Sequence, residues 1–447
     1  MNDRTEHLLN SPPLPLLITM AIPNSIAFIV QAGVNMTEVW FVGQLGTTAL
    51  ASIALVFPLL MLSQAISGGA MGGAVASSIA RALGGGDVAR AEQLVWHALA
   101  LAGVGALLFL GVFLLFGESF LSFLGGSGEV LSQSMAYCLV LFFGGIFIWC
   151  LGVTSAIYRG MGNMQFPAVM MMSSALIQIP ISGCLVLGAF GFPQLGLMGA
   201  AISVVISGFI LSSIMLLRLV FGNIPVKLRR HSCRFSKTLF RDILNVALPG
   251  AVSPLLSVVT IISLTAIVAS YGESALAGYG IGSRIEFLSV PLIFGLGAAM
   301  TSLVGMSIGA KNVARAEHIG WLGGAAAALL SGTAGVLLAL FPDVWIPAFT
   351  DDPAAHASAR DFIQIIGPCL AFQGLGMALY FASQGAGAMR WPVAATILRV
   401  ILAVGGALLL TYLTDLGVQG VYYAAGLGMV AYGCMIAGAL KLGAWRL

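Results

Sequence analysis

The sequence predicts an all-α integral membrane protein: twelve transmembrane helices arranged as two parallel six-helix repeats. Three observations predict it. Only 8% of the 447 residues are charged, 59% are hydrophobic and mean hydropathy is +1.02, whereas a soluble domain carries about 25% charge. The apolar residues lie in long runs without strand-like alternation, and in lipid only helices or closed barrels satisfy the backbone. The chain also repeats itself about 225 residues on. Arg90-Ala91-Glu92 returns as Arg315-Ala316-Glu317, and Ala21-Ile22-Pro23 as Ala247-Leu248-Pro249. Gly160-Met161-Gly162 with Pro167 returns as Gly385-Ala386-Gly387 with Pro392, and Ala49-Leu50-Ala51 as Ala275-Leu276-Ala277. A register held over four separated blocks marks two homologous halves.

Twelve runs carry the spans: 14–41, 47–79, 93–116, 131–157, 166–190, 196–221, 243–269, 274–308, 318–341, 358–384, 393–413 and 417–442. The first follows a polar start, is long and lacks a small-residue cleavage site, so it reads as a span rather than a leader. Runs two and eight exceed a perpendicular crossing, so tilt, extension beyond the bilayer or kinks at Pro58 and Pro291 are expected. The domains follow: a first lobe over 1–221, a linker over 222–242 and a second lobe over 243–447.

Charge sets the orientation. Connections after even-numbered runs hold Arg81, Arg90, Arg159, Lys311, Arg315 and Arg390, and the linker holds Lys227, Arg229, Arg230, Arg234, Lys237 and Arg241. Connections after odd-numbered runs hold Glu118, Glu129, Glu273, Asp343, Asp351, Asp352 and Asp415, with Arg360 as their one basic residue. The positive-inside rule places both termini and the linker in the cytoplasm of an inner-membrane protein. Six spans per half give both halves the same direction of entry. The linker's basic run reads as a topology signal or lipid-facing patch and not as a nucleic-acid site.

Few residues within the runs are able to carry chemistry. Five of the six cysteines lie in spans, without metal spacing or an expected disulfide. The 57 glycines suit close helix packing. The charges counted within spans are Glu38, Arg284, Glu286 and Arg399, and such groups face a cavity or a partner. Glu38 sits about 8 Å below its helix's outer end at 1.5 Å per residue. It reads as a carboxyl that takes up and releases a proton at the wall of a water-filled cavity. Asn35 lies three residues before it on the same face, whereas its counterpart in the second repeat is Leu264. Arg284, Glu286 and Arg399 read as structural counter-ions across helices. His97 reads as ordinary. No nucleophile–base spacing, phosphate loop or metal cluster marks an enzyme.

These residues resemble those of the MATE (multidrug and toxic compound extrusion) family over essentially the whole chain. Pro23 followed by Glu38-Val39-Trp40-Phe41-Val42-Gly43 and Leu45-Gly46 is similar to its first-helix pattern, and Arg159-Gly160-Met161-Gly162-Asn163 with Pro167 to its loop after helix four. Ala275-Leu276-Ala277-Gly278-Tyr279 with Arg284-Ile285-Glu286 resembles helix eight of the DinF-type branch. The resemblance implies a V-shaped two-lobe bundle and cation-coupled export, with coupling in the first lobe around the helix-one acid and an Asn-x-x-x-Asp in helix five. Here Glu38 takes the first acid position, Gln178 the Asn and Ser182 the Asp. The second-lobe acids of the NorM-type branch have no counterpart over 243–269 and 362–390.

The expected function is efflux of drugs or metabolites by alternating access, with H⁺ favoured over Na⁺ because the second acid is lost. Glu38, Asn35, Gln178 and Ser182, with Thr37 nearby, form the expected coupling site, and Pro23 is the hinge. Phe28, Gln31, Trp40 and Phe41 are expected to line the substrate cavity with Tyr279, Phe287, Met300, Gln373 and Tyr380. Such walls suit small amphipathic, cationic compounds. No cofactor beyond the coupling ion and no partner beyond substrate and membrane lipid is expected, and the protein is expected to be a monomer. A flippase for lipid-linked carriers is the alternative and would need a strongly cationic cavity. An intramembrane enzyme is a more remote one.

Overall fold

The computed structural model describes residues 3–287 and 290–446, and the side chains of Asp3 and residues 285–287 also fall outside the description. Among the described residues all regular structure is helical. The first half runs through α1 (Asp3–Asn10), α2 (Pro13–Gly43), α3 (Thr47–Gln64), α4 (Gly72–Gly84), α5 (Val88–Phe123), α6 (Gly128–Phe143), α7 (Gly145–Gly160), α8 (Gln165–Leu187) and α9 (Leu197–Phe221). The second comprises α10 (Lys237–Ala269), α11 (Glu273–Phe287), α12 (Val290–Gly309), α13 (Val313–Leu340), α14 (Pro342–Trp345), α15 (Pro353–Ala386), α16 (Arg390–Val400), α17 (Gly406–Leu413) and α18 (Val418–Lys441). Among the described residues eleven helical stretches are long and apolar enough to cross a membrane, and the bent pair α6–α7 makes a twelfth. The protein is a multi-pass membrane protein.

The long second run is one stretch, Thr47–Gly84, in which α3 carries Pro58 and passes through a π-helical turn (Ala65–Met71) into α4. In the eighth run Pro291 stands in the first turn of α12, where a missing N–H costs no helical hydrogen bond. Among the described residues a 53° bend separates α6 from α7. Gly144 makes it, because a Cβ there would meet the Val205 side chain at 2.3 Å. A Gly-Gly pair at such an approach is a recognised cause of a kink. In the second repeat α15 runs unbroken from Pro353 to Ala386, packed so closely on α13 that Gly335 and Gly367 meet backbone to backbone.

Two compact units result: Met1–Glu6 with Ile26–Ala247, and His7–Ser25 with Leu248–Leu447. The repeat persists in fine detail. Asp87 caps α5 by accepting from the Arg90 N–H at 2.9 Å, and Asn312 caps α13 by accepting from the Arg315 N–H at 3.0 Å. The turn residues before them, Gly86 and Lys311, both take positive φ.

The Arg-Ala-Glu motif has matching work in each unit. In the first, Arg81 and Arg90 donate to the two carboxylate oxygens of Asp242 at 2.8 and 2.9 Å, holding the start of the second repeat's first helix. In the second, Arg315 donates to the carbonyls of Leu8 and Ser11 at 3.0 and 2.6 Å, just ahead of the first repeat's first helix. The glutamates hold the end of their own repeat. Glu92 accepts from the Ser232 hydroxyl at 2.9 Å, and Glu317 binds Arg446 through two hydrogen bonds at 2.8 and 2.9 Å.

The Arg81 and Asp242 side chains are 17% and 21% exposed, against 48% for Arg90. Asp242→Asn therefore lowers the thermal midpoint in detergent by the equivalent of about 2 kcal/mol, the cost of unmaking hydrogen bonds to a charged group. Arg90→Gln costs under about 1 kcal/mol, as for an exposed ion pair. Equal shifts for the two variants would refute the ranking.

Candidate functional site

Glu38 lies on α2 with 6% exposure. The Ser203 hydroxyl of α9 is 3.2 Å from its Oε1 and 2.7 Å from the Ala200 carbonyl. Gln178 of α8 hydrogen-bonds the same carboxyl, and Tyr137 of α6 lies within electrostatic reach. Ser182, one turn beyond Gln178, is fully buried, and its hydroxyl has no hydrogen-bond partner among the described residues. Four helices of the first unit thus contribute a set of five polar side chains, the Glu38 carboxyl among them. Among the described residues Glu38 forms no ion pair, and no group of three or more His, Cys, Asp or Glu is placed to hold a metal.

The second unit gives the control. By the repeat register Glu38 corresponds to Leu264, Tyr137 to Phe362, Gln178 to Ala403 and Ser182 to Ala407. Gly196 and Gly417 begin α9 and α18 with the same φ of 58° and ψ of −136°, which pairs Ser203 with Ala424. Leu264, Phe362, Ala403, Ala407 and Ala424 all belong to one hydrophobic cluster of the second unit. Every polar group of the site is replaced there by an apolar one.

The other expected residues scatter. Asn35 accepts from the Gln31 amide at 3.4 Å, and Gln31 accepts from Ser174 at 3.3 Å, so Asn35 joins a separate polar chain one turn from Glu38. Thr37 donates to the Gly33 carbonyl. Trp40 is 60% exposed beside the ring of Phe41, which rests against Gly183, and Phe28 is half-buried. Pro23 lies inside α2 without ending it.

In the second unit Tyr279 packs with Phe362 and Tyr422. Met300 is fully enclosed, its thioether against Gly323, so it fills the bundle and does not line an open face. Gln373 is buried on α15 with its amide oxygen unpartnered among the described residues, and Tyr380 donates to the Gly250 carbonyl at 2.9 Å. The side chains of Glu286 and Phe287 lie outside the described residues.

Two expected counter-ions stand differently. Arg284 is exposed and makes no ion pair among the described residues, and the Arg399 guanidinium lies over the Tyr432 ring at 5.7 Å, a cation–π partner in place of a carboxylate. His97 is buried and accepts the Ser236 N–H at 2.9 Å, a structural task. The sequence reading missed Tyr137 and Ser203 as site residues, and Asp361, which lies inside α15 and accepts from Gln419 at 2.8 Å. Comparing the two repeats for positions polar in one and apolar in the other would have found the first two.

A family profile described as MatE matches residues 23–183 and again 249–409, one match per repeat. The chain belongs to the MATE family. Its members are membrane carriers, so the protein is not an enzyme. A relative named as a probable multidrug resistance protein NorM, from Thermotoga maritima, is 26% identical over 86% of this chain and 82% of its own length. One named as an FAD transporter, from Shewanella oneidensis, is 25% identical over 86% of this chain and 84% of its own. A solved transporter of the MOP superfamily from Pyrococcus furiosus shares the fold at a TM-score of 0.91, with 23% identity over 100% of this chain and 99% of that one.

The control predicts a non-additive outcome. Glu38→Leu alone leaves Gln178 and Ser203 facing an apolar side chain, at a cost of about 1–3 kcal/mol. Adding Tyr137→Phe, Gln178→Ala, Ser182→Ala and Ser203→Ala, the set the second unit already uses, recovers thermal stability relative to the single change while transport stays abolished. A five-residue variant less stable than the single one would refute the equivalence of the two sites.

Proposed function

We propose that this protein is an efflux transporter of the inner membrane, with cytoplasmic termini, that exports small amphipathic, cationic organic compounds in exchange for protons bound at Glu38. The observation carrying this reading is the five-residue polar site, present in one repeat and apolar in the other. A fold that closes around Leu264 does not need a carboxyl at the equivalent point, and a buried ionisable group in a membrane marks transport chemistry by default.

The hydroxyl geometry supports a proton in preference to Na⁺. Ser203 has one hydrogen, and its shorter contact is with the Ala200 carbonyl at 2.7 Å, against 3.2 Å to Glu38. With that hydrogen on Ala200, Ser203 presents a lone pair, and a protonated Glu38 donates to it. An ionised Glu38 takes the hydrogen back. The site holds one carboxylate and neutral oxygens, a thin complement for a cation stripped of its water. Glu38 in its two protonation states biases a two-state motion of the carrier, with α2 flexing at Pro23. The relatives named for multidrug resistance support the substrate class, and the one named as an FAD transporter makes a flavin dinucleotide the second compound to assay.

The test uses purified protein in liposomes with an imposed pH gradient, following substrate-triggered proton release for wild type and Glu38→Gln, with and without Na⁺. The expected result is loss of the signal in the variant, independent of Na⁺. Transport driven by a sodium gradient alone at clamped pH would overturn proton coupling, and unchanged proton release from Glu38→Gln would move the coupling site elsewhere.

A further inference from the structure

We propose that residues 227–241 form a binding surface for anionic phospholipid, presented by the first unit at the headgroup layer. A basic run that only sets topology needs no fold, because the positive-inside bias counts charges within a connection. This segment is folded. It turns through a short 3-10 helix at Arg230–Ser232 and is pinned along α5. Glu92 takes the Ser232 hydroxyl at 2.9 Å and the Arg229 guanidinium at 3.4 Å, and the Trp96 indole donates to the Arg229 carbonyl at 3.0 Å. The Ser236 N–H reaches His97, whose ring meets both Phe235 and Phe240.

The pins engage Arg229, Ser232 and Ser236 and leave four other cations outward. Arg230, Arg234, Lys237 and Arg241 are exposed and form no ion pair among the described residues, and Phe235 between them is 59% exposed. The nearby acid, Asp242, is occupied by Arg81 and Arg90. α10 opens at Lys237 with no acid in its first turn, so the positive end of a long helix adds to the same field. Four fixed cations at a helix start repel one another unless anions come to them.

Depth says which anions. Along α5, Glu92 lies about 6 Å and His97 about 14 Å from the helix start at Val88. The helix is about 54 Å long, about 24 Å more than the ~30 Å hydrocarbon core, which leaves about 12 Å at each end of a centred span. The segment between these pins therefore lies where α5 passes from headgroups into hydrocarbon, beside Trp96, a residue type that favours that level. Clusters of four to eight Lys or Arg beside a span attract anionic lipid, and an exposed aromatic enters the acyl boundary. At the corresponding position of the second repeat, Glu317 takes Arg446 through two hydrogen bonds.

The experiment is native mass spectrometry on delipidated full-length protein, titrated with phosphatidylglycerol or phosphatidylcholine. Wild type is expected to prefer phosphatidylglycerol, with the preference shrinking as salt rises. The variant Arg230→Gln/Arg234→Gln/Lys237→Gln/Arg241→Gln, which spares every pin, is expected to lose that preference by about fivefold per charge. Phe235→Ser weakens both lipids alike and does so at high salt as well. Lys311→Gln/Arg390→Gln, removing charges from other connections, keeps the wild-type preference. A quadruple variant with wild-type preference, an equal loss in the control, or displacement by inorganic phosphate at matched concentration would each overturn the proposal. Should the quadruple variant fail to fold, the Phe235→Ser result and the wild-type salt dependence decide it.

Discussion

A buried carboxyl that forms no ion pair among the described residues is the constraint on which the rest of this structure turns. Glu38 is buried, and its partners are hydroxyls and an amide. An ionised group in that setting is stabilised by dipoles alone, which repay only part of the desolvation cost. On the proposed proton cycle the site balances two protonation states, and its neighbours are able to serve both. Ser203 is donor or acceptor, Gln178 offers either end of its amide, and Ser182 holds a hydroxyl in reserve. A salt-bridged acid would be locked in one charge state and would respond to nothing.

The duplicated frame around that site is fixed at its ends by charge and through its middle by shape. The Arg-Ala-Glu motif lies at helix starts, where water and backbone carbonyls make ion pairs affordable, and holds one first-helix start and one repeat end in each unit. Inside the bilayer there is no hydrophobic gain from pairing helices, so glycine contacts and van der Waals fit take over. Gly144 against Val205 and Gly335 against Gly367 are that second kind of joint. One bends a span and the other presses two unbroken helices together. The halves thus share terminal anchors and differ at mid-membrane, where function is expected to differ.

Much of this was legible in the sequence because lipid enforces it. Twelve apolar runs could only be helices, and the structure places a span or bent pair on every run. Capping by Asp87 and Asn312 follows from residue type. The 53° bend was not legible, because it depends on Val205 arriving from another helix and not on the local string around Gly144. Tilt, extension or kinks are expected of the two long runs: Pro58 lies inside α3 ahead of a π-helical turn, and Pro291 falls in the first turn of α12. At the site, Glu38 was read from residue type and depth and Gln178 and Ser182 from the family resemblance; Gln178 meets the Glu38 carboxyl, whereas Asn35 lies in a neighbouring polar chain. Tyr137 and Ser203 come from helices whose rotation about their own axes no periodicity in an all-apolar span records. Met300 was placed on a wall and proves fully enclosed, for the same reason.

The asymmetry between repeats carries an energetic argument that neither half carries alone. Replacing a buried ionic or polar set by well-packed apolar residues is often neutral or stabilising. The cluster around Leu264, Phe362, Ala403, Ala407 and Ala424 is a worked example within this chain that the fold tolerates the replacement. The polar version in the first unit is therefore not what the architecture requires. It costs desolvation at Glu38 and leaves the buried Ser182 hydroxyl without a partner among the described residues, and stability alone would remove both. A group that binds and releases a proton needs that imperfection. The free energy of its two states has to lie close enough for a gradient to choose between them, and a fully satisfied site would settle permanently into one.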